Sequence, residues 1–268
     1  IRCFVCNIFN IQRRIKKEDS KTISYGLIGF PLSHSYSKKH FDEKFARLEM
    51  DCEFNLYEIE CIDQVEDLIQ KEKNLNGFCV TMPYKEKILS YLNTLSSTAK
   101  ACGNVNCVKI IRQNNKIELQ GYNTDAFGFE HSLLNQLNIK LIKKAYILGS
   151  GGVAKTISFV LNKHNLKYKI VSRNPKEEQI SYNQMNEEFS DNTLFINASP
   201  VGMHSLKDKT PDIEFKKLNS SHQIFDLIYN PSPTLLMKKA KEKGAKVING
   251  ADMLFYQAEK AWEIWQSK

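Results

Sequence analysis

An apolar run, Ala145-Tyr146-Ile147-Leu148, ends in the turn Gly149-Ser150-Gly151-Gly152-Val153, and Lys155 to Leu161 continues with helical spacing. Glycines at such a turn let the backbone approach a pyrophosphate, whose charge meets the unbonded N–H groups and positive dipole end of the helix. A second strand-like run, Lys169-Ile170-Val171, follows at β-α-β distance and ends in Ser172-Arg173-Asn174. A site for NAD places Asp or Glu at this tip to hold the ribose 2′-hydroxyl, whereas a guanidinium without an acid suits a 2′-phosphate. The expected cofactor is NADP. A glycine cluster alone is a weak signal, and Arg173 alone is an ordinary surface arginine. The strand before, the helix after and the basic tip together carry the reading.

Polar residues also stand where apolar runs stop in the first half. Ser35 and Ser37 follow Gly29-Phe30-Pro31-Leu32 and flank a helix start, where hydroxyls and unbonded N–H groups can hold a carboxylate. Thr81 and Lys85 place a hydroxyl and an amine about one helical turn apart. Asn106 lies in Gly103-Asn104-Val105-Asn106, and Asp125 ends Gly121-Tyr122-Asn123-Thr124-Asp125. Taken singly, each has a simpler explanation: serine and aspartate cap helices, and a lone helical lysine is a solvated surface group.

The elements that must position these groups alternate between strand and helix. Strands are predicted over residues 24–30, 52–59 and 77–81, helices over 38–48, 62–71 and 84–92, and a hairpin joins 105–111 to 116–120 over Asn114-Asn115. A helix over 125–137 links the two halves. Beyond the glycine turn and the strand at 169–171, strands are expected at 193–196, 222–227 and 245–248, and a helix over 251–265 ends the pattern.

The 268 residues suffice for two modest domains, each with its own core. Apolar content of 42% and charged content of 25% are ordinary for a soluble globular chain. The net charge of +8 comes from lysines scattered along the whole length, with no basic stripe interleaved with aromatics, which argues against nucleic acid. No apolar run approaches the roughly 20 residues that span a membrane. Of the seven cysteines only Cys3 and Cys6 form a C-x-x-C, with no second pair and no suitably spaced histidines, so no metal site is expected. An odd, dispersed set indicates reduced thiols and a cytoplasmic compartment. Residues 1–22 read as an N-terminal extension, expected to be disordered. Its basic, acid-free start is compatible with the remnant of a targeting peptide, but its poverty in serine and threonine favours an extension without function.

The order of these segments resembles the shikimate dehydrogenase family, from about Tyr25 to Trp265. The family's opening signature is similar to Gly29-x-Pro31-Leu32-x-His34-Ser35-x-Ser37, and its lysine motif to Val80-Thr81-Met82-Pro83-Tyr84-Lys85. Its later motifs resemble Gly103-x-Val105-Asn106, Gly121-Tyr122-Asn123-Thr124-Asp125, the turn at 149–153, and Asn197-Ala198-Ser199-Pro200-Val201-Gly202-Met203. The end matches too, in Asp226-Leu227-Ile228-Tyr229-Asn230-Pro231, Asn249-Gly250-Ala251-Asp252-Met253-Leu254 and Gln257-Ala258. Departures are specific. Lys38 stands where proline is usual, and Ser172-Arg173-Asn174 replaces Asn-Arg-Thr. Cys79 replaces an asparagine, removing a donor and acceptor near the substrate pocket. Asn104 stands where a small alanine is common, and Cys107 where threonine is.

The resemblance implies an α/β protein of two domains with a cleft between them. Residues 23–124 plus 251–268 would form the substrate-binding catalytic domain, and 125–250 a Rossmann-like NADP-binding domain. The implied reaction is reversible reduction of 3-dehydroshikimate to shikimate with NADPH, within chorismate and aromatic amino-acid biosynthesis. Lys85 and Asp125 are the implied catalytic residues, both near one substrate hydroxyl, and either could carry the proton. Ser35 and Ser37 would take the substrate carboxylate, and Thr81, Asn106, Tyr229 and Gln257 the ring hydroxyls, with Asp125 also touching substrate. Gly149, Ser150, Gly151, Gly152, Val153, Ser172, Arg173, Asn174, Leu227 and Gly250 would hold the cofactor. The expected partner is this small substrate alone, in a monomer or homodimer. Two other readings share these motifs: an NAD-preferring quinate/shikimate dehydrogenase, which the arginine at the strand tip disfavours, and a family member that binds ligand without turnover.

Overall fold

The computed structural model describes residues 22–32 and 35–267, arranged around two six-stranded sheets. The extension read over residues 1–22 therefore lies, except for Thr22, outside the described residues, as do Cys3, Cys6, Ser33 and His34. The strands are β1 (Ile23–Gly29), β2 (Cys52–Glu58), β3 (Leu75–Val80), β4 (Thr94–Leu95), β5 (Cys107–Gln113), β6 (Lys116–Tyr122), β7 (Lys144–Leu148), β8 (Tyr168–Val171), β9 (Gln179–Ile180), β10 (Thr193–Asn197), β11 (Gln223–Asp226) and β12 (Lys246–Asn249). The α-helices among the described residues are α1 (Tyr36–Arg47), α2 (Gln64–Lys71), α3 (Ser97–Cys102), α4 (Asp125–Gln136), α5 (Gly152–Lys163), α6 (Tyr182–Glu188), α7 (Leu235–Glu242) and α8 (Ala251–Gln266).

The first sheet runs β2-β1-β3-β5-β6-β4. β1 lies parallel to β2 and β3, and β5 runs antiparallel between β3 and β6. The ends of β1, β3 and β6 and the start of β5 thus share one edge, where every polar segment singled out in the first half is gathered. β5 and β6 form the predicted hairpin, with Asn114 and Asn115 at φ +51° and +59°, the left-handed pair a two-residue hairpin turn requires. The second sheet runs β12-β11-β10-β7-β8-β9, all parallel, the 3-2-1-4-5-6 order of a doubly wound nucleotide fold. Its crossover point falls between β7 and β10, at the glycine turn.

Both sheets are covered on both faces, and the strands alternate accordingly. In β7, Ala145 and Ile147 join Phe129, Leu133, Ile157 and Leu161 on one side, while Tyr146 and Leu148 join Met185, Phe195 and Leu236 on the other. In the first sheet, Ile28, Phe78 and Val80 pack with Val65 and Ile69 of α2, and Leu27 and Cys79 pack with Phe41 and Phe45 of α1 and with Ala258, Ala261 and Trp265 of α8. The last helix therefore returns from the second sheet to close the core of the first. Trp265 stacks on Tyr25 at 4.8 Å and donates its indole N–H to Val108 O at 3.0 Å.

The predicted helix over 84–92 is not formed; only a 3₁₀ turn at Lys87–Tyr91 remains. An α-helix there would direct the Lys85 carbonyl to Leu89 N, but it accepts from Val105 N at 2.8 Å, and Leu89 N turns back to Glu86 O. Tyr84, buried with its hydroxyl donating to Ile59 O at 2.6 Å, fixes the other side of Lys85.

Candidate active site

Lys85 and Asp125, 40 positions apart in sequence, meet at the strand edge of the first sheet, with Nζ 2.6 Å from Oδ2. Lys85 is held by the turn just described, and Asp125 is the first residue of α4. Their side chains are 28% and 11% exposed, so the pair is largely withdrawn from water yet open on one side. The other carboxylate oxygen, Oδ1, accepts from Asn106 Nδ2 at 3.0 Å.

Asn106 is the hub of this edge. Its amide also donates to Thr124 Oγ1 at 2.9 Å and to Gln257 Oε1 at 3.3 Å, and its Oδ1 accepts from Thr124 N at 2.6 Å. Gln257 reaches the cluster from α8, its Nε2 anchored on Leu254 O at 3.0 Å. Lys85, Asn106, Asp125 and Gln257 are thus brought together as expected. Thr124 belongs with them and was not singled out, although its place in Asn123-Thr124-Asp125 was the available signal.

Thr81 sits directly after β3, with its methyl packed against Gly29. Ser35 is the N-cap of α1, its hydroxyl accepting from Lys38 N at 3.2 Å, and Ser37 is buried in the first turn. The capping explanation for Ser35 therefore holds, and its O–H proton stays available for a second bond. Tyr229 comes from the other lobe, between β11 and α7, with its ring 6.1 Å from that of Tyr36 on α1. Burial pushes its hydroxyl above the ordinary tyrosine range.

Cys79 faces Cys107 across the β3–β5 ladder, and both are buried. Burial first, then the nearby Asp125 charge, pushes the Cys79 thiol up to about 12. It stays protonated and packs as a small apolar residue.

The glycine turn fits a dinucleotide. Gly149 takes φ +123° at the crossover point, where an added Cβ would lie 3.0 Å from Ala198 O. Gly151 precedes α5 without a side-chain cap; Ala154 N bonds back to Gly151 O at 2.9 Å, which leaves the N–H groups of Gly152 and Val153 for a ligand, and apart from its chain neighbours no atom of the described residues lies within 4 Å of where the Gly151 Cβ would be. Ser150, Gly152 and Val153 complete the turn. At the second strand tip, Ser172 Oγ accepts from Asn174 N at 3.3 Å and contacts Ser150 Oγ at 3.5 Å, which joins tip and turn. Arg173 is exposed beside them and forms no ion pair with the described residues. Leu227 and Gly250 also meet: a Cβ on Gly250 would lie 2.0 Å from Leu227 O, a close approach only glycine allows.

Sequence reading missed the support beneath this lobe. Asp226, fully buried, accepts from Asn197 Nδ2 at 2.9 Å, Ile228 N at 3.1 Å and Thr234 Oγ1 at 2.6 Å, and so fixes the loop that carries Tyr229. Burial raises its carboxyl, and the three donors oppose the rise.

Known proteins resemble this chain over most of its length. The family of the shikimate dehydrogenase substrate binding domain matches residues 27–108. Shikimate dehydrogenase (NADP(+)) of Methanococcus vannielii is 34% identical over 268 aligned positions, covering 92% of this chain and 92% of that protein. The enzyme of the same name from Clostridium beijerinckii is 37% identical, with 90% and 91% covered. Among solved structures, shikimate 5-dehydrogenase from Thermus thermophilus in complex with NADP(H) and shikimate is 25% identical, covers 91% of this chain and 93% of that one, and superposes with a TM-score of 0.78. The chain belongs to the shikimate dehydrogenase family.

Proposed function

We propose that this protein catalyses the reversible reduction of 3-dehydroshikimate to shikimate with NADPH, serving chorismate and aromatic amino-acid biosynthesis, and that Lys85 and Asp125 handle the proton. The observation that carries the assignment of roles is their 2.6 Å contact, largely withdrawn from water but open on one side, at the edge facing the cofactor turn. When bound, NADPH supplies a hydride to the ring ketone. Negative charge then develops on the ketone oxygen, where the Lys85 ammonium donates a proton, while Asp125 holds the amine and accepts from the same hydroxyl. Oxidation runs the same proton transfer backwards.

Ser35 and Ser37 take the substrate carboxylate at the N-terminus of α1. Thr81, Asn106, Tyr229 and Gln257 read the ring hydroxyls, and an analogue lacking one would leave buried Asn106 or Gln257 unpaired. Gly149 to Val153 hold the pyrophosphate, Ser172, Arg173 and Asn174 the 2′-phosphate, and Leu227 and Gly250 complete the cofactor cleft. We read residues 23–124 with 251–268 as the substrate domain and 125–250 as the cofactor domain, in a cytoplasmic monomer or homodimer. The packing of Trp265 among Tyr25, Phe41 and Phe54 supports that division. Among the described residues, no helix is long and apolar enough to cross a membrane.

The test is a direct assay of NADP⁺ reduction by shikimate, run beside NAD⁺ and quinate. Turnover with shikimate and NADP⁺ is expected. A preference for NAD⁺, or binding without turnover, would refute it.

A further inference from the structure

A buried polar cluster joins the two lobes beneath the candidate site. Asn104, Asn123 and Thr156 are 1%, 6% and 0% exposed. Asn104 lies in the loop before β5, Asn123 directly after β6, and Thr156 in the second turn of α5, the helix that carries the cofactor turn. Asn104 Nδ2 donates to Thr156 Oγ1 at 3.2 Å, to the carbonyl of Gly152 at 3.4 Å and to that of Cys102 at 3.1 Å. Asn123 Nδ2 donates to Asn104 Oδ1 at 2.8 Å and to Thr156 Oγ1 at 3.2 Å. Asn123 Oδ1 in turn accepts from Ala126 N at 3.0 Å and so fixes the start of α4 at the residue after Asp125.

We propose that Asn104 is a positioning residue for the redox reaction. It locks the first turns of α5 to the loop that sets Asp125, and thereby fixes the cofactor turn relative to the Lys85–Asp125 pair. Beside the bonds of Lys85 and Asn106 to Asp125, which cross the same seam, Lys155 pairs with Glu86 at 2.9 Å, and these two side chains are 56% and 50% exposed. Exposed pairs of that kind tolerate many geometries and contribute little. Buried amide bonds are directional, and a buried donor left without its acceptor is costly. The amides therefore constrain the register of the two lobes far more than this ion pair does. An alanine at this position could reach neither Gly152 nor Thr156.

Hydride transfer needs its reacting atoms within about 3–3.5 Å, and a displacement of about 1 Å from a distant change can cost on the order of 10²-fold in rate. Loosening this seam should therefore act on turnover rather than on binding of either ligand. The inference rests on Lys85 and Asp125 handling the proton, a reading tested separately by Lys85→Met.

The experiment compares Asn104→Ala, Thr156→Val and the double variant by steady-state kinetics with shikimate and NADP⁺. The primary deuterium isotope effect is measured with shikimate labelled at the oxidised carbon, and melting curves confirm that each variant is folded. Each single variant is expected to lose about tenfold in kcat, within the bound just given. KM for shikimate should stay within about twofold, the isotope effect should rise, and the double variant should lose no more than the worse single. Thr156→Val, which exchanges a hydroxyl for a methyl group, carries the test if Asn104→Ala does not fold. A parent-like kcat and isotope effect in a folded variant, whatever its melting temperature, would overturn the proposal. If Lys85→Met also turns over normally, the proton assignment has failed; if Lys85→Met is inactive, only the role of Asn104 has.

Discussion

Replacing Lys85 by Met keeps the apolar stem of the side chain and removes the amine that lies 2.6 Å from Asp125 Oδ2. Two quantities should move by different amounts. General acid–base assistance supplies about 10²–10⁴-fold in rate, or roughly 3–5 kcal/mol at 1.36 kcal/mol per tenfold, and kcat should fall by that factor in both directions. Stability should fall much less. The Asp125 carboxylate, 11% exposed, keeps its bond from Asn106 at 3.0 Å and still reaches water through the open side, so the loss of one partner costs about 1–2 kcal/mol. KM for shikimate should change only a few-fold, because the lost interaction strengthens as charge develops on the oxygen. Adding Asp125→Asn should cost less than the product of the two single losses, since the pair acts as a unit. The assay is initial-rate kinetics on the single and double variants beside their melting curves. A parent-like kcat in Lys85→Met, with only a stability loss, would show the pair to be a structural ion pair and would end the mechanism.

Ser35→Ala should raise KM for shikimate about tenfold with kcat nearly unchanged, and should also cost about 1 kcal/mol of stability, because Ser35 Oγ caps α1 through Lys38 N at 3.2 Å; an unchanged KM would reduce it to a cap. Arg173→Ala should raise KM for NADP⁺ by roughly 10–100-fold while leaving the weaker use of NAD⁺ as it was, since a bond between charged groups is worth about 1.5–3 kcal/mol; equal losses with both cofactors would sink the assignment. His222, fully buried beside Asp191, is held below its usual 6.5 by desolvation. The unfolded chain takes up that proton first as pH falls, so the stability it confers is present above 6.5 and lost below it. Chemical denaturation between pH 5 and 7 should show a shallower decline for His222→Gln than for the parent, and parallel curves would refute this.

What was legible in the sequence depended on how far apart the cooperating residues lie. The cofactor turn is local: strand, glycines, helix and basic tip occupy residues 145–174, and the parallel arrangement of β7 and β8 around α5 appears where it was expected. The clustering of Lys85, Asn106, Asp125 and Gln257 was reached through family resemblance, because no periodicity relates Asn106 to Gln257, 151 positions away. The helix over 84–92 was misread because its pattern is helical, while the deciding bond, Val105 N to Lys85 O, is tertiary. Helices α6 and α7 were overlooked despite clear local signals. Ser181 and Gln184 form a reciprocal capping box, and Thr234 caps α7 by accepting from Met237 N. The Asn104–Thr156 bond offered no such signal: Asn104 stands out against the family pattern, but nothing marks Thr156 as its partner until the fold places them 3.2 Å apart.

The return of α8 to the first sheet also sets the order in which the molecule can be completed during synthesis. Domains commonly fold as they emerge, N-terminal part first. Here the face of the first sheet bearing Tyr25 and Phe54, with Phe41 of α1 packed on it, waits for Ala258, Ala261 and Trp265, which leave the ribosome after the whole second sheet. The part made first is therefore finished last, and a nascent chain stopped before residue 251 carries an uncovered aromatic surface that invites chaperone capture. Limited proteolysis of chains ending at residue 250 should find the second sheet protected and the first degraded. A stable fragment over 23–124 from such chains would show that the early lobe matures unaided.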